Sequence, residues 1–194
     1  MRVVLLREKM RLDLSKDRVK ITKYLKKRVK DYPKYVNCGP GNDTDPIRFI
    51  ALGFYAAQGG YISLVFDTRA DGDYDGDYTN FLDEQTMLDF PKWCDFYELA
   101  CDGHEVTLVT GGGATELVHF EDANSDECIG DSSEKRLNAY FGDMLRDVLV
   151  ELKSDGTWSK LPLTDDAFMM VIDFDELYLW PDYKQRLKVG RAAN

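Results

Sequence analysis

The charges of this chain are divided unequally between its first 36 residues and the remainder. Residues 1–36 carry 13 lysines and arginines against 4 acidic residues, whereas residues 37–194 carry 12 against 31. Such a split is typical of a basic segment that docks on an acidic body, a basic arm for a polyanion, or an acidic surface for a basic partner. The sequence therefore predicts a basic N-terminal helical segment, 1–36, and an acidic α+β domain, 37–194.

The basic segment contains an amphipathic helix over residues 15–32. Ser15 is its predicted N-cap, and Pro33 ends it. Lysines occupy the directions that the apolar residues leave open. Because an apolar stripe needs a surface that covers it, docking on the acidic body is favoured over a free arm. The apolar positions are Ile21, Tyr24, Leu25, Val29 and Tyr32.

Two β-hairpins are predicted in the acidic domain. One turns through Gln58-Gly59-Gly60, and the other turns through Gly111-Gly112-Gly113-Ala114. Aromatic and β-branched residues flank both turns, as is typical of paired strands. The predicted strands are 47–57 and 61–68 for the first hairpin, and 105–110 and 115–121 for the second.

The remaining pattern predicts two helices and a last strand. A short helix runs from Pro91 to Gly103, and a long one runs from Ser132 to Lys153 with apolar residues at 3-4 spacing over five turns. The last strand is expected at Ala167–Asp173. This order favours a single α+β domain with a mainly antiparallel sheet of about five strands and helices packed on one face.

Hydropathy and cysteine usage indicate a cytoplasmic protein without membrane association. No apolar stretch approaches the ~20 residues that a membrane span requires. The first apolar run, Val3–Leu6, is shorter than the roughly 7 to 15 residues of a signal-peptide core. The four cysteines include no C-x-x-C pair, so free thiols are expected rather than a zinc or redox site. They are Cys38, Cys94, Cys101 and Cys128.

The sharpest local motif is Asp-rich. Residues 71–77 place aspartates at alternate positions, as in the first half of a calcium loop. The second half does not match, because Leu82 stands at position twelve, where a bidentate glutamate is needed. We expect a solvated turn and no cofactor, with weak calcium binding as the alternative. The ligands in that alternative are Asp71, Asp73, Asp75 and Asp77.

Catalytic motifs are weak, so a non-enzymatic function is favoured. Asp173 and Asp175 follow the last predicted strand in a D-x-D arrangement that could hold a metal. A metal-dependent hydrolase using this pair, or the aspartates of 71–75, is the alternative function. His104 and His119 have no nucleophile in a recognisable motif nearby.

The acidic residues are concentrated between Phe49 and Glu134. This stretch contains 19 acidic residues and only two basic ones, Arg69 and Lys92. The resulting negative potential repels nucleic acid and anionic lipid and attracts basic proteins. We therefore expect a basic protein partner, and nucleic-acid contact only through the basic helix at 15–32. The predicted binding residues are Tyr74, Tyr78, Asp122, Asp126 and Glu127.

Three segments together carry a resemblance to known proteins. They are the hairpin FIALGFYAAQGGYISLVFDTRAD, the helix PKWCDFYEL and the terminal IDFDELYLWPDY. In element order and aromatic placement the chain, over roughly residues 47–183, resembles uncharacterised bacterial α+β domains, some of which occur as immunity proteins beside polymorphic toxins. The resemblance implies an acidic, non-enzymatic cytoplasmic binder.

Overall fold

A computed structural model describes residues 10–32, 46–55, 61–67, 105–119, 132–173 and 187–188. Helices and strands both occur in these residues, which confirms the α+β class. In chain order the elements are β1 (Met10–Asp13), α1 (Leu14–Asp31), β2 (Ile47–Tyr55), β3 (Tyr61–Asp67), β4 (Glu105–Val109), β5 (Thr115–His119), α2 (Ser132–Ser154), a 3-10 helix (Trp158–Lys160), β6 (Leu163–Asp173) and β7 (Leu187–Lys188).

The strands form two mixed sheets, with orders β1-β4-β5 and β3-β2-β6-β7. The pairs β1–β4 and β2–β6 are parallel, and the other neighbouring pairs are antiparallel. The expectation of one mainly antiparallel sheet of about five strands is therefore wrong for the described part of the chain. Its physical reason is that the parallel partners are far apart in sequence, and a long connection lets two strands run in the same direction.

The strand pairing of both predicted hairpins is confirmed, and the predicted turn of the first, at 58–60, lies outside the described residues. Strand β2 pairs with β3 from Phe49–Asp67 to Tyr55–Tyr61, and β4 pairs with β5 throughout. At the second turn, the Gly113 N–H donates to the Thr110 carbonyl at 2.8 Å. Gly113 has a φ of +86°, a conformation that glycine adopts without steric cost. The glycine run thus serves a strand-to-strand turn.

Helix α1 lies in the core through its apolar face, as the sequence predicted. Ile21 and Leu25 have no exposed surface, and Val29 is 4% exposed. The helix contacts α2, β4 and the 3-10 helix. Its N-cap is Asp13 rather than the predicted Ser15, whose hydroxyl instead donates to the Asp13 carboxylate. This hydrogen bond lowers the pKa of Asp13.

Residues from both sheets and both helices share the main core. The four-stranded sheet also buries a smaller apolar cluster on its other face, formed by Phe49, Ala51, Val65 and Met170. Strand β2 is consequently buried on both sides from Phe49 to Phe54, which explains why this part of its sequence is a continuous apolar run instead of an alternating one.

Helix α2 ends in a glycine cap that leads directly into the 3-10 helix. Gly156 has a φ of +75°, and its N–H donates to the Lys153 carbonyl, while the Thr157 N–H donates to the Leu152 carbonyl. This pair of bonds is a Schellman motif. The turn inserts Trp158 into the core, where its Nε1 donates to the Leu149 carbonyl at 3.3 Å.

Candidate functional site

The predicted binding residues and the predicted metal ligands of the Asp-rich loop lie outside the described residues. This holds for both tyrosines and the three acidic residues of the predicted binding set, and for the four aspartates of the Asp-rich loop; Asp175 also lies outside. These assignments remain predictions. They are Tyr74, Tyr78, Asp122, Asp126, Glu127, Asp71, Asp73, Asp75 and Asp77.

The described residues present a surface on α2 that we call the acidic face, comprising Tyr140, Asp143, Arg146, Asp147, Val150 and Glu151. Asp143 and Asp147 have side chains that are 50% and 48% exposed, and Val150 is 42% exposed. These three residues follow i, i+4, i+7 spacing, so they share one side of the helix. The opposite side is buried in the core.

One arginine is shared between two carboxylates on this face. Arg146 Nη1 lies 2.9 Å from Asp143 Oδ1, and Arg146 Nη2 lies 3.5 Å from Asp147 Oδ1. The acidic face therefore keeps a net negative charge. This face was not among the predicted binding residues. The 3-4 periodicity that predicts the buried side of α2 also places Asp143, Asp147 and Val150 opposite to it.

One end of the acidic face adjoins β5. The Tyr140 hydroxyl donates to Glu116 Oε2 at 2.8 Å. Burial of the hydroxyl, together with this hydrogen bond, raises the pKa of Tyr140 above its ordinary value. The phenol therefore stays protonated at neutral pH and acts as a donor, which orients an exposed carboxylate of β5 toward α2.

Ion pairs connect α2 to the basic helix α1. Arg18 Nη2 lies 2.8 Å from Glu151 Oε2, and Arg18 Nη1 donates to the Gly111 carbonyl at 3.1 Å. Lys26 Nζ lies 2.8 Å from Asp155 Oδ2. Arg18 thus joins α1 to both α2 and the β4–β5 turn, and some of the basic charge is used inside the fold.

The Lys26–Asp155 pair should make stability depend on pH in acid. Hydrogen bonds from Lys26 and Thr157 lower the pKa of Asp155 to about 2. The pair's contribution is therefore complete above the unfolded-state pKa of about 3.9 and is lost as pH falls through the folded-state value. We expect Lys26→Met to lower the free energy of unfolding at neutral pH, and this deficit to shrink between pH values of about 5 and 2.

Chemical denaturation over that pH range measures the effect. Lys30→Met is the matched control, because Lys30 is exposed on the same helix and the substitution removes the same charge. A deficit that is independent of pH, or one that is equal in the two variants, would contradict the prediction.

A buried polar pair lies where α2 crosses the end of β6. Asn138 Nδ2 donates to Asp173 Oδ2 at 3.0 Å, and the two residues are 1% and 6% exposed. Asp173 pairs with Phe54 of the parallel strand β2. The first carboxylate of the D-x-D sequence is thus held inside the contact between helix and sheet, where it orients Asn138. This contact gives Asp173 a packing role.

The remaining described carboxylates are distributed over several elements. Glu105 and Glu116 are exposed on β4 and β5, and Asp165 and Asp166 are exposed on β6. Within the described ranges, no three histidine, cysteine, aspartate or glutamate side chains come together in a group that could hold a metal ion. Neither described helix combines the length and apolarity of a membrane span.

Comparison with known protein families, with curated proteins and with solved structures gave no match to this chain.

Proposed function

We propose that this protein is a non-catalytic interaction domain that binds a basic partner protein through an acidic surface. The acidic face of α2 is the observation that carries the proposal. It combines an exposed valine with half-exposed aspartates, in a chain whose formal net charge is −10. The cytoplasmic location and the immunity-type role implied by the resemblance belong to the same proposal.

The composition of the acidic face suits a protein partner. Tyrosine and arginine are enriched at protein interfaces, and Tyr140 and Arg146 supply them here. Val150 provides an exposed apolar side chain beside the charged residues Asp147 and Glu151, and interfaces combine apolar contacts with polar ones. The net negative charge supplies steering, since complementary charge raises the association rate of a basic protein.

The predicted binding residues would extend this surface in sequence. Asp122, Asp126 and Glu127 precede Ser132, the start of α2, by ten, six and five residues. We propose that this segment and the acidic face contact the same partner, and that Tyr74 and Tyr78 act as its aromatic anchors. A spread of carboxylates suits this function, because a binding surface tolerates charges over an area whereas a metal-dependent hydrolase needs them to converge on one cavity.

The experiment measures association with a defined basic probe, an arginine- and tryptophan-containing peptide, by stopped-flow fluorescence. We compare Asp143→Lys/Asp147→Lys with Asp165→Lys/Asp166→Lys, which changes net charge equally on exposed residues of β6. We expect the α2 variant to slow association by about tenfold relative to the β6 variant, and the wild-type rate to fall as salt rises. A second variant, Asp122→Lys/Asp126→Lys/Glu127→Lys, tests the preceding segment.

Circular dichroism verifies that each variant is folded. Equal rates in the α2 and β6 variants would show that only bulk charge attracts the probe, and would overturn the assignment of the acidic face. If the variant of residues 122–127 associated slowly and the α2 variant associated at the wild-type rate, the binding surface would be assigned to residues 122–127 instead.

A further inference from the structure

Five exposed lysines form a continuous line on α1, which we call the lysine stripe. They are Lys16, Lys20, Lys23, Lys27 and Lys30. Their spacing of four, three, four and three residues keeps them on one side of the helix. At a rise of about 1.5 Å per residue the stripe is about 21 Å long. Because the opposite side of α1 is buried in the core, the stripe has a fixed outward direction.

The stripe keeps a large positive excess within its own helix. Helix α1 contains eight lysines and arginines against two aspartates. Lys16 and Lys27 pair with Asp13 and Asp31 at 3.6 and 3.0 Å, but the lysine side chains remain 80% and 69% exposed. Exposed pairs of this kind contribute little to stability, so a stronger anion can displace them.

We propose that the lysine stripe binds the phosphate backbone of nucleic acid without sequence preference. Lysine is a flexible point charge that contacts phosphates regardless of the bases nearby. Regular positive charges along one line suit a polymer that carries a phosphate every few ångströms along each strand. Since residues 37–194 are net acidic, we expect binding through the basic helix, and we expect it to be strongest at low salt.

The residue types distinguish this partner from the two other polyanions that a basic helix can meet. Lysine is depleted at protein interfaces, and the stripe has no tyrosine or arginine comparable with those of the acidic face. An amphipathic helix binds an anionic membrane by inserting its apolar side into the lipid. In α1 that side, including Ile21 and Leu25, is fully buried in the core.

The test uses the full chain and a fluorescently labelled duplex of about 20 base pairs at about 50 mM salt, followed by anisotropy. The stripe variant is Lys20→Gln/Lys23→Gln/Lys27→Gln. The matched control is Lys135→Gln/Lys153→Gln/Lys160→Gln, which removes three positive charges from exposed lysines outside α1. Glutamine preserves helix propensity, so both variants should fold.

We expect the stripe variant to lose affinity by about tenfold or more relative to the control. Each lysine–phosphate contact contributes about −0.9 to the slope of log affinity against log salt, so the slope should become less steep by about 2.7. Equal losses in the two variants, or no binding by the wild-type chain at low salt, would overturn the proposal. Tighter binding to vesicles rich in anionic lipid than to the duplex would also overturn it.

The outcome is independent of the proposed basic-partner function. The two experiments change different surfaces, and each has its own control variant with the same change in net charge. Loss of nucleic-acid binding in the stripe variant with unchanged association to the basic peptide would assign one surface to each partner class.

Discussion

Leu25→Ala is expected to lower the free energy of unfolding by about 2 to 5 kcal/mol, the range for removing a buried leucine side chain. Leu25 has no exposed surface and belongs to the core that α1 shares with both sheets. The substitution keeps helix propensity high, because alanine is the best helix former, so the loss reports on packing. Urea denaturation measures this loss, and an m-value equal to that of the wild type shows that the change is one of stability.

Lys23→Glu is the control for this prediction. Lys23 is exposed on the same helix, and its substitution should change stability by only about 0 to 1 kcal/mol. If Leu25→Ala and Lys23→Glu had equal and negligible effects, α1 would be an undocked arm in solution. A large loss for Leu25→Ala alone would establish that the basic helix is part of the cooperative fold.

Local periodicity made the helices and hairpins predictable. The buried sides of α1 and α2 follow the 3-4 spacing of apolar residues, and the bounds of α2 differ from the predicted ones by one residue. The hairpins follow from short turns between β-rich segments. In each case the signal and the structure it specifies lie within one short stretch of chain.

Sheet organisation was not predictable in the same way, because strand pairing is decided between distant residues. Strand β6 lies parallel beside β2 although more than a hundred residues separate them. Strand β1 was missed altogether: its apolar and charged residues alternate, but four residues are too few for this alternation to predict a strand. Strand β1 is stabilised by its parallel pairing with β4, and the sequence of residues 10–13 alone does not indicate this partner.

The same distinction between local and distant signals applies to the candidate surfaces. The lysines of α1 and the carboxylates of α2 were readable from helical spacing once the helices were assigned. The contacts that fix them were not, since Arg18 and Glu151 are 133 residues apart and Asn138 and Asp173 are 35 apart. Charge composition predicted which signs of charge were present, whereas packing decided which of them face solvent.

The second large effect concerns Trp158, which is 1% exposed and has the largest fully buried side chain among the described residues. Trp158→Ala should lower the free energy of unfolding by about 3 to 5 kcal/mol, because it leaves a cavity among the packed side chains. Trp158→Phe keeps most of the ring but removes the donor to the Leu149 carbonyl. It should cost less, about 1 to 3 kcal/mol, because the phenyl ring leaves a smaller cavity and only one side-chain hydrogen bond is lost.

The Trp158 series also tests whether α1 and α2 are held together by the segment between α2 and β6. The 3-10 helix that carries Trp158 contacts both helices. Native-state hydrogen exchange should therefore show that Trp158→Ala reduces protection in α1 more than in the hairpin β2–β3, which pairs independently of that segment. Uniform loss of protection would mean that the core opens only as a unit. Selective loss in α1 would identify Trp158 as the residue that fixes the lysine stripe on the protein surface, since a helix released from the core no longer presents its lysines in one direction.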